Sequence, residues 1–296
     1  MHGWTVAEQA ATPKQPAGHG EDRLVLVNDE GEGVRCAAVV DGATSKDTRT
    51  YGDQTGGARA AECVAEVLRR LPPNVAPTEA LTMVTKELSA LRRQWSIAPD
   101  DLMAPSAVAA VFLPGRRQVW RVGDVHIAIR TPNGWAHHPA DKAIDRVVAA
   151  ARAALLRCRL AQGASIDELA ATDPGRTMLL PILKEQNVLA NDTDPHNPLG
   201  FGVLDGRPVP DRYLETISLP PDAIEVVLAS DGYLSAAPTL REAEDQLTLS
   251  LAEDPLRIGA YASTKATPPG ARSFDDRTYI RLRLRRQGTE TLDRPR

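Results

Sequence analysis

The chain has 296 residues, enough for one large domain or two small ones, and either can bury a full core. With 35 basic against 39 acidic side chains it carries a net charge of −4, so no global basic field draws in nucleic acid or an anionic membrane. No apolar run approaches the roughly 20 residues of a membrane span and Met1–Ala10 lacks a basic start before an apolar stretch, so the sequence reads as a soluble cytoplasmic protein.

Trp4–Ala10 reads as a first strand, and the Pro-, Gly- and Ala-rich Thr12–Gly20 as a loop. Arg23–Val27 and Val34–Val40 form a predicted hairpin around Gly31–Gly33, the second strand running straight into Asp41-Gly42. From Gly57, Ala61, Val64, Ala65 and Leu68 recur at helical spacing until Pro72-Pro73. Thr78 reads as the cap of a second helix carrying Leu81, Val84, Leu88 and Leu91 on one face. Ala107–Leu113, Gln118–Val122 and Val125–Arg130 return to strand, separated by Pro114-Gly115 and Gly123-Asp124. Asp145–Leu160, Ser165–Ala170 and Arg176–Gln186 read as helices, which makes Asp141–Gln186 a helical insertion, followed by a polar loop at Asn191–Pro198. Ile224–Ala229 is a buried-type strand ending at Ser230-Asp231-Gly232, Leu240–Leu251 a helix, and Thr278–Leu284 a last alternating strand. Hairpins with few strand-helix-strand crossovers indicate an α+β fold. Cys36, Cys63 and Cys158 are odd in number and outside any Cys-x-x-Cys spacing, which argues for small buried hydrophobes rather than disulfides or a zinc ribbon.

Carboxylates stand where apolar strands begin or end: Glu21-Asp22, Asp41, Asp124, Asp231 and Asp275-Asp276. Any one of them is ordinary turn chemistry. Together they matter, because if those strand ends converge, two unit charges about 4 Å apart repel by roughly 4 kcal/mol at an effective dielectric of about 20. Such a cluster needs cations, and oxygen donors without Cys or His select Mg²⁺ or Mn²⁺ rather than zinc.

These segments resemble, in order, the scattered motifs of the PPM-type (type 2C) metal-dependent protein serine/threonine phosphatases. GEDRLVLV at 20–27 is similar to the family's Asn-Glu-Asp strand, AAVVDGATS at 37–45 to its Val-x-Asp-Gly-x-Gly-Gly turn, and WRVGDVHIAI at 120–129 to its Gly-Asp-Ser-Arg strand. VVLASDGYLS at 226–235 resembles the Leu-x-Ser-Asp-Gly strand and SFDDRTYIRL at 273–282 the closing Asp-Asn-x-Thr strand. The resemblance implies a four-layer αββα sandwich, two antiparallel sheets flanked by helix pairs, spanning 1–285, with a flap insertion at about 141–197 and a charged tail at 286–296. It further implies that Asp41 bridges two Mg²⁺ or Mn²⁺ ions, with Asp231 and Asp275 on one and Glu21 and the Gly42 carbonyl on the other. Asp22 would orient a bound water, and Asp124 matches a residue that helps some relatives hold a weaker third ion. The implied activity is hydrolysis of phosphoserine and phosphothreonine in a phosphoprotein, opposing a serine/threonine kinase, by a water that two divalent cations activate.

The chain departs from the family pattern at several positions. Ala43 replaces the His that many eukaryotic members carry after Asp-Gly, and Ala17 stands where the phosphate-binding Arg usually lies. Lys14, His19 or an Arg of the flap could replace that Arg, although Lys14 reads more simply as a solvated loop cation. Gly20, Asp276 and His126 replace other motif residues without removing a metal ligand, and Ser235 argues against a tight third ion. Thr44 and Ser45 read as turn residues. Among rival readings, a haloacid dehalogenase-like site fails because its nucleophilic Asp would fall at Val39. A calcineurin-like site fails for want of a Gly-Asn-His-Asp/Glu segment, and His137-His138 reads as a polar loop rather than a metal half-site. A catalytically weak or inactive relative that binds a phosphoprotein or regulatory partner is the alternative; Ala17 favours it, whereas retention of Glu21, Asp41, Asp231 and Asp275 favours the enzyme.

Overall fold

The computed structural model describes residues 3–15, 18, 20–31, 33–44, 46–139 and 141–285. The readings attached to Ala17, His19, Ser45 and the tail 286–296 lie outside the described residues.

Ten strands build two five-stranded antiparallel sheets. One runs in the order β1 (Trp4–Thr12), β12 (Arg277–Leu284), β11 (Glu225–Ala229), β8 (His126–Thr131) and β9 (Gly134–His138). The other runs β10 (Glu215–Ser218), β7 (Gln118–Val122), β6 (Ala107–Leu113), β3 (Gly33–Gly42) and β2 (Arg23–Asp29). A two-stranded ribbon, β4 (Thr50–Tyr51) with β5 (Gln54–Thr55), sits apart.

The sheets face each other across a core that includes Val39, Phe112, Ile127, Val226 and Ile280, with Trp4 edge-on to Phe112. The next residue along β3, Val40, points the opposite way, into a second core under the helices α1 (Gly56–Arg69) and α2 (Pro77–Gln94). Burial on both faces explains why β3 reads as a continuous apolar run rather than an alternating one. On the outer face of the other sheet, Val227, Ala229 and Tyr279 are covered by Tyr233, Ala237 and α6 (Leu240–Glu253). The helices α3 (Ala143–Ala161), α4 (Ile166–Thr172) and α5 (Pro174–Glu185) form the expected helical segment. Ile144 and Val148 of α3 pack on Leu179 and Leu183 of α5, and this pair joins the sandwich through Phe201 and Val203. Among the described residues no helix is long and apolar enough to cross a membrane.

Several local readings change. Thr78 does not cap α2; Pro77 starts it and Ala76 precedes it without a side-chain cap, because proline's missing N–H costs nothing at the first helical position. His137 and His138 lie in strand β9, not in a loop. The edge strands β9 and β10 are short and half-exposed, so neither has the apolar signature of the central strands. Cys36 and Cys63 are buried as expected, but Cys158 is exposed on α3.

Register places the acids. Arg23 at the start of β2 pairs with Val40 near the end of β3, and Gly42 at that end pairs with Ala107 at the start of β6. Ala109 pairs with Val122 at the end of β7, so residues 123–125 cross between sheets at this same end of the sandwich. His126 then pairs with Ala229 at the end of β11, which pairs with Tyr279 near the start of β12. Every acid singled out by sequence is therefore carried to one end.

Two glycines there are required by close packing rather than by turn conformation. A Cβ at Gly42 would lie 2.5 Å from the Gly57 carbonyl oxygen and 2.7 Å from that of Glu21; at Gly232 it would lie 1.9 Å from the Asp276 carbonyl oxygen. Gly232→Ala must therefore push β11 and β12 apart. It is expected to cost more than about 2 kcal/mol by denaturant unfolding; an unchanged midpoint would show that the strand ends are not packed this closely.

Candidate functional site

Asp41, Asp124, Asp231 and Asp275 line one cavity of about 350 Å³ at the acidic end of the sandwich. Helices α3 and α5 supply part of its wall, through Asp145, Arg176 and Leu183 among others. Asp41 and Asp231 come within hydrogen-bonding reach of each other. Burial, then the charges of Asp22, Asp231, Asp275 and Asp124, push the Asp41 carboxyl well above the usual carboxylate range. Burial and the neighbouring Asp275 and Asp124 push Asp231 up to about 8. Asp124 is also raised, chiefly by burial. Asp22 does not line this cavity; it opens on an adjoining recess beside Asp276. Its carboxylate accepts a 2.7 Å bond from Ser230 Oγ, and burial, opposed by that bond and reinforced by Asp275, moves it to about 7. Ser230 Oγ in turn accepts from the Thr278 N–H at 2.8 Å, so β11 and β12 hold Asp22 jointly.

Glu21 lines another recess next to the main cavity, with Lys14 and Thr44. Thr55 Oγ1 donates to Glu21 Oε1 at 2.5 Å while also capping α1 through the Ala58 N–H, so the start of α1 fixes this carboxylate. Asp276 accepts from the backbone N–H groups of Glu21 and Lys14, each at 2.7 Å, and so ties the loop before β2 to the start of β12. Gly42 closes β3 opposite Ala107, next to the Glu21 and Gly57 backbones.

The structure corrects the reading of Lys14. It is no solvated loop cation: its ammonium lies 3.3 Å from Glu21 Oε2 and 3.2 Å from Asp275 Oδ1, and those anions, with Asp276, outweigh burial and hold its pKa above the ordinary value. Lys265, which the sequence reading missed, also pairs with Asp275 and approaches Thr44 Oγ1 to 3.4 Å, as Lys14 does. Thr44 is thus part of the site, not only of a turn. Burial raises the Asp275 pKa, but the two ammoniums overcome it and hold the carboxyl below the usual range. No local pattern around Lys265 signals this role, because it sits in an irregular loop whose path depends on long-range packing.

Compensation is therefore uneven. Lys14 and Lys265 neutralise Glu21 and Asp275, whereas Asp22, Asp41, Asp124 and Asp231 make no ion pair with a described Lys or Arg. Among the described residues no three acids have closed to the spacing of a finished ion cage. The donor set nonetheless fits hard divalent cations: it is all oxygen, it is anionic in excess, and Asp41 and Asp231 gain most from an added positive charge.

No family model matches the sequence, and no curated protein matches it. Solved structures do. The serine/threonine phosphatase Stp1 from Staphylococcus aureus is 12% identical, with 96% of this chain and 97% of that chain covered at a TM-score of 0.50. The fold is that of the PPM-type phosphatases. The Mycobacterium tuberculosis serine/threonine phosphatase PstP/Ppp is 16% identical over 97% of this chain and 100% of that chain, with a TM-score of 0.48. A catalytic domain of PstP in complex with two manganese ions is 15% identical over 96% and 99%, with a TM-score of 0.49.

The raised carboxyls set a pH dependence. A carboxyl whose pKa is higher folded than unfolded stabilises the fold below its unfolded pKa, and that contribution is lost as pH rises through the folded value. With chelator present, the melting temperature is expected to fall between about pH 4 and pH 8, where the unfolded chain has released the Asp22 and Asp231 protons and the folded one still holds them. Asp231→Asn removes one of these charges and should stabilise the chelated protein at pH 8 by about 1 kcal/mol or more. A wild-type melting temperature that climbs over this range would contradict the assignment.

Proposed function

We propose that the chain is a phosphoserine/phosphothreonine phosphatase dependent on Mg²⁺ or Mn²⁺, acting on a phosphoprotein and opposing a serine/threonine kinase. The observation that carries this reading is the set of uncompensated carboxyls, Asp41 and Asp231 foremost, at the floor of an open cavity. Acids so placed have little structural value without cations to neutralise them. Free thiols at Cys36, Cys63 and Cys158 accord with a reducing, cytoplasmic setting.

In this reading Asp41, Asp231 and Asp275 would hold one ion, and Asp41, Glu21 and the Gly42 carbonyl a second, with Asp124 available to a weaker third. Bound there, the ions would supply charge neutralisation at the phosphoryl oxygens and a water acidic enough to act as nucleophile. Asp22, poised near neutrality and oriented by Ser230 Oγ in the adjoining recess, is suited to accept and release a proton next to the acid cluster. Lys14 and Lys265 hold Glu21 and Asp275 in place, and the two ammoniums keep Asp275 ionised, so that ligand needs no deprotonation. No phosphoenzyme is required. His126 borders the cavity, but burial lowers its pKa to about 4, so it stays neutral and does not stand in for the proton donor absent at Ala43.

Purified protein should hydrolyse p-nitrophenyl phosphate and a phosphothreonine peptide with Mn²⁺ and stop on chelation. Asp41→Asn and Asp231→Asn should each lower kcat by about a hundred-fold or more without loss of fold by circular dichroism. Turnover that survives chelation, or full activity in both variants, would refute the assignment. Chelator-insensitive binding of a phosphopeptide without turnover would support the non-catalytic alternative instead.

A further inference from the structure

The absence of an anchoring Arg at Ala17 leaves the proposed reaction without its usual grip on the phosphoryl group, yet the cavity holds cations that make no ion pair among the described residues. Arg257 is the clearest. It is 4% exposed and lines the cavity with Asp231 and Asp275, but among the described residues it forms no ion pair, and its buried Nε and Nη1 find no acceptor. A guanidinium carries five donors, and leaving such donors unpaired in a buried position is costly unless a ligand supplies oxygens. The Phe274 ring lies 3.7 Å from Cζ and orients the plane without satisfying a donor.

The backbone around Arg257 is held as a positioned side chain requires. Arg257 occupies the left-handed region at φ 50°, where a non-glycine residue is strained. The Asp254 carboxylate accepts the N–H groups of Ile258, Gly259 and Tyr261, turning the loop around itself. The fully buried Arg152 of α3 reaches across to the carbonyls of Leu256, Arg257 and Ser263 while pairing with Asp173. The loop is therefore bolted to the helices that wall the cavity.

Two further cations face the same space. Arg176, in the first turn of α5, gives its backbone N–H to the capping Asp173 carboxylate, while its guanidinium donates to the Thr264 carbonyl and hydroxyl and makes no ion pair among the described residues. Lys46, just beyond Asp41-Gly42, has no hydrogen bond or ion pair among the described residues. Burial, then Lys142 and Arg176, lower its pKa to about 8, as expected of a cation crowded by other cations.

We propose that Arg257, assisted by Arg176 and Lys46, anchors the phosphoryl oxygens of a phosphomonoester dianion, taking the part left vacant by Ala17. This assignment rests on the phosphatase reading for its substrate. The acids of the cavity floor and these cations then play complementary roles, the first toward metal and the second toward phosphate. The planar fork of Arg257 suits two oxygens of one phosphoryl group.

The test combines steady-state kinetics on a phosphothreonine peptide with calorimetric titration of inorganic phosphate into Mn²⁺-loaded protein, for wild type, Arg257→Gln, Arg257→Lys and Lys46→Gln. Arg257→Gln should raise both KM and the phosphate dissociation constant by at least about ten-fold, with Mn²⁺ affinity unchanged. Arg257→Lys keeps the charge and much of the packing on Phe274 but loses the fork, and should fall between. Lys46→Gln, which breaks no hydrogen bond or ion pair among the described residues, should weaken phosphate binding by about three-fold or more even if Arg257→Gln proves unstable. Wild-type turnover with unaltered KM and phosphate affinity in folded variants would overturn the anchoring role and leave the phosphatase reading intact. Phosphate binding that depends on Arg257 in a protein without turnover would uphold the anion site and remove the phosphatase reading.

Discussion

Charge repulsion among carboxylates that the chain cannot keep apart is the constraint on which the site depends. Asp41 and Asp231 lie within hydrogen-bonding reach, with Asp124 and Asp275 on the same cavity and Asp22 close behind. Without an added cation, burial first and mutual repulsion second make these carboxyls retain protons, which is why Asp22, Asp41 and Asp231 are raised. In the proposed reading stability and function then oppose each other: the arrangement that burdens the fold is the one that would receive divalent ions.

The architecture imposes this crowding. Antiparallel register brings the ends of β3, β7 and β11 and the starts of β2, β6, β8 and β12 to one end of the sandwich, and the acids occupy those ends. Gly42 and Gly232 let the backbones close to distances that no side chain would permit. The chain answers part of the charge itself, with Lys14 and Lys265 on Glu21 and Asp275, and leaves Asp41, Asp124 and Asp231 without an ion pair among the described residues. Arg257, Arg176 and Lys46 line the same cavity as the acids, so it carries both polarities.

What could be read from sequence follows the same physics. The central strands and α1 were legible because burial on one or both faces leaves a periodic apolar trace, as in Val34–Val40 or Ala61, Val64, Ala65 and Leu68. The acids were legible because each stands next to such a strand. β9 and β10 were not, since short half-exposed edge strands need no apolar signature. Lys14 was misjudged and Lys265 and Arg257 were missed for another reason. Their roles arise from contacts across 261 residues for Lys14 with Asp275, or from an irregular loop fixed by Arg152 and Asp254, and no local pattern encodes such contacts.

The central claim, that this acid cluster exists to take up divalent cations, predicts more than binding. At pH 7 the Asp231 carboxyl, at about 8, and part of Asp22, at about 7, are protonated in the metal-free protein and must ionise as the cation enters. The direct measurement is calorimetric titration of Mn²⁺ into chelator-stripped protein at pH 7 in buffers of different ionisation enthalpy, which counts protons released per ion bound. The account predicts saturable Mn²⁺ uptake with net proton release, diminished in Asp231→Asn. Absence of Mn²⁺ uptake, or uptake without proton release, would contradict it.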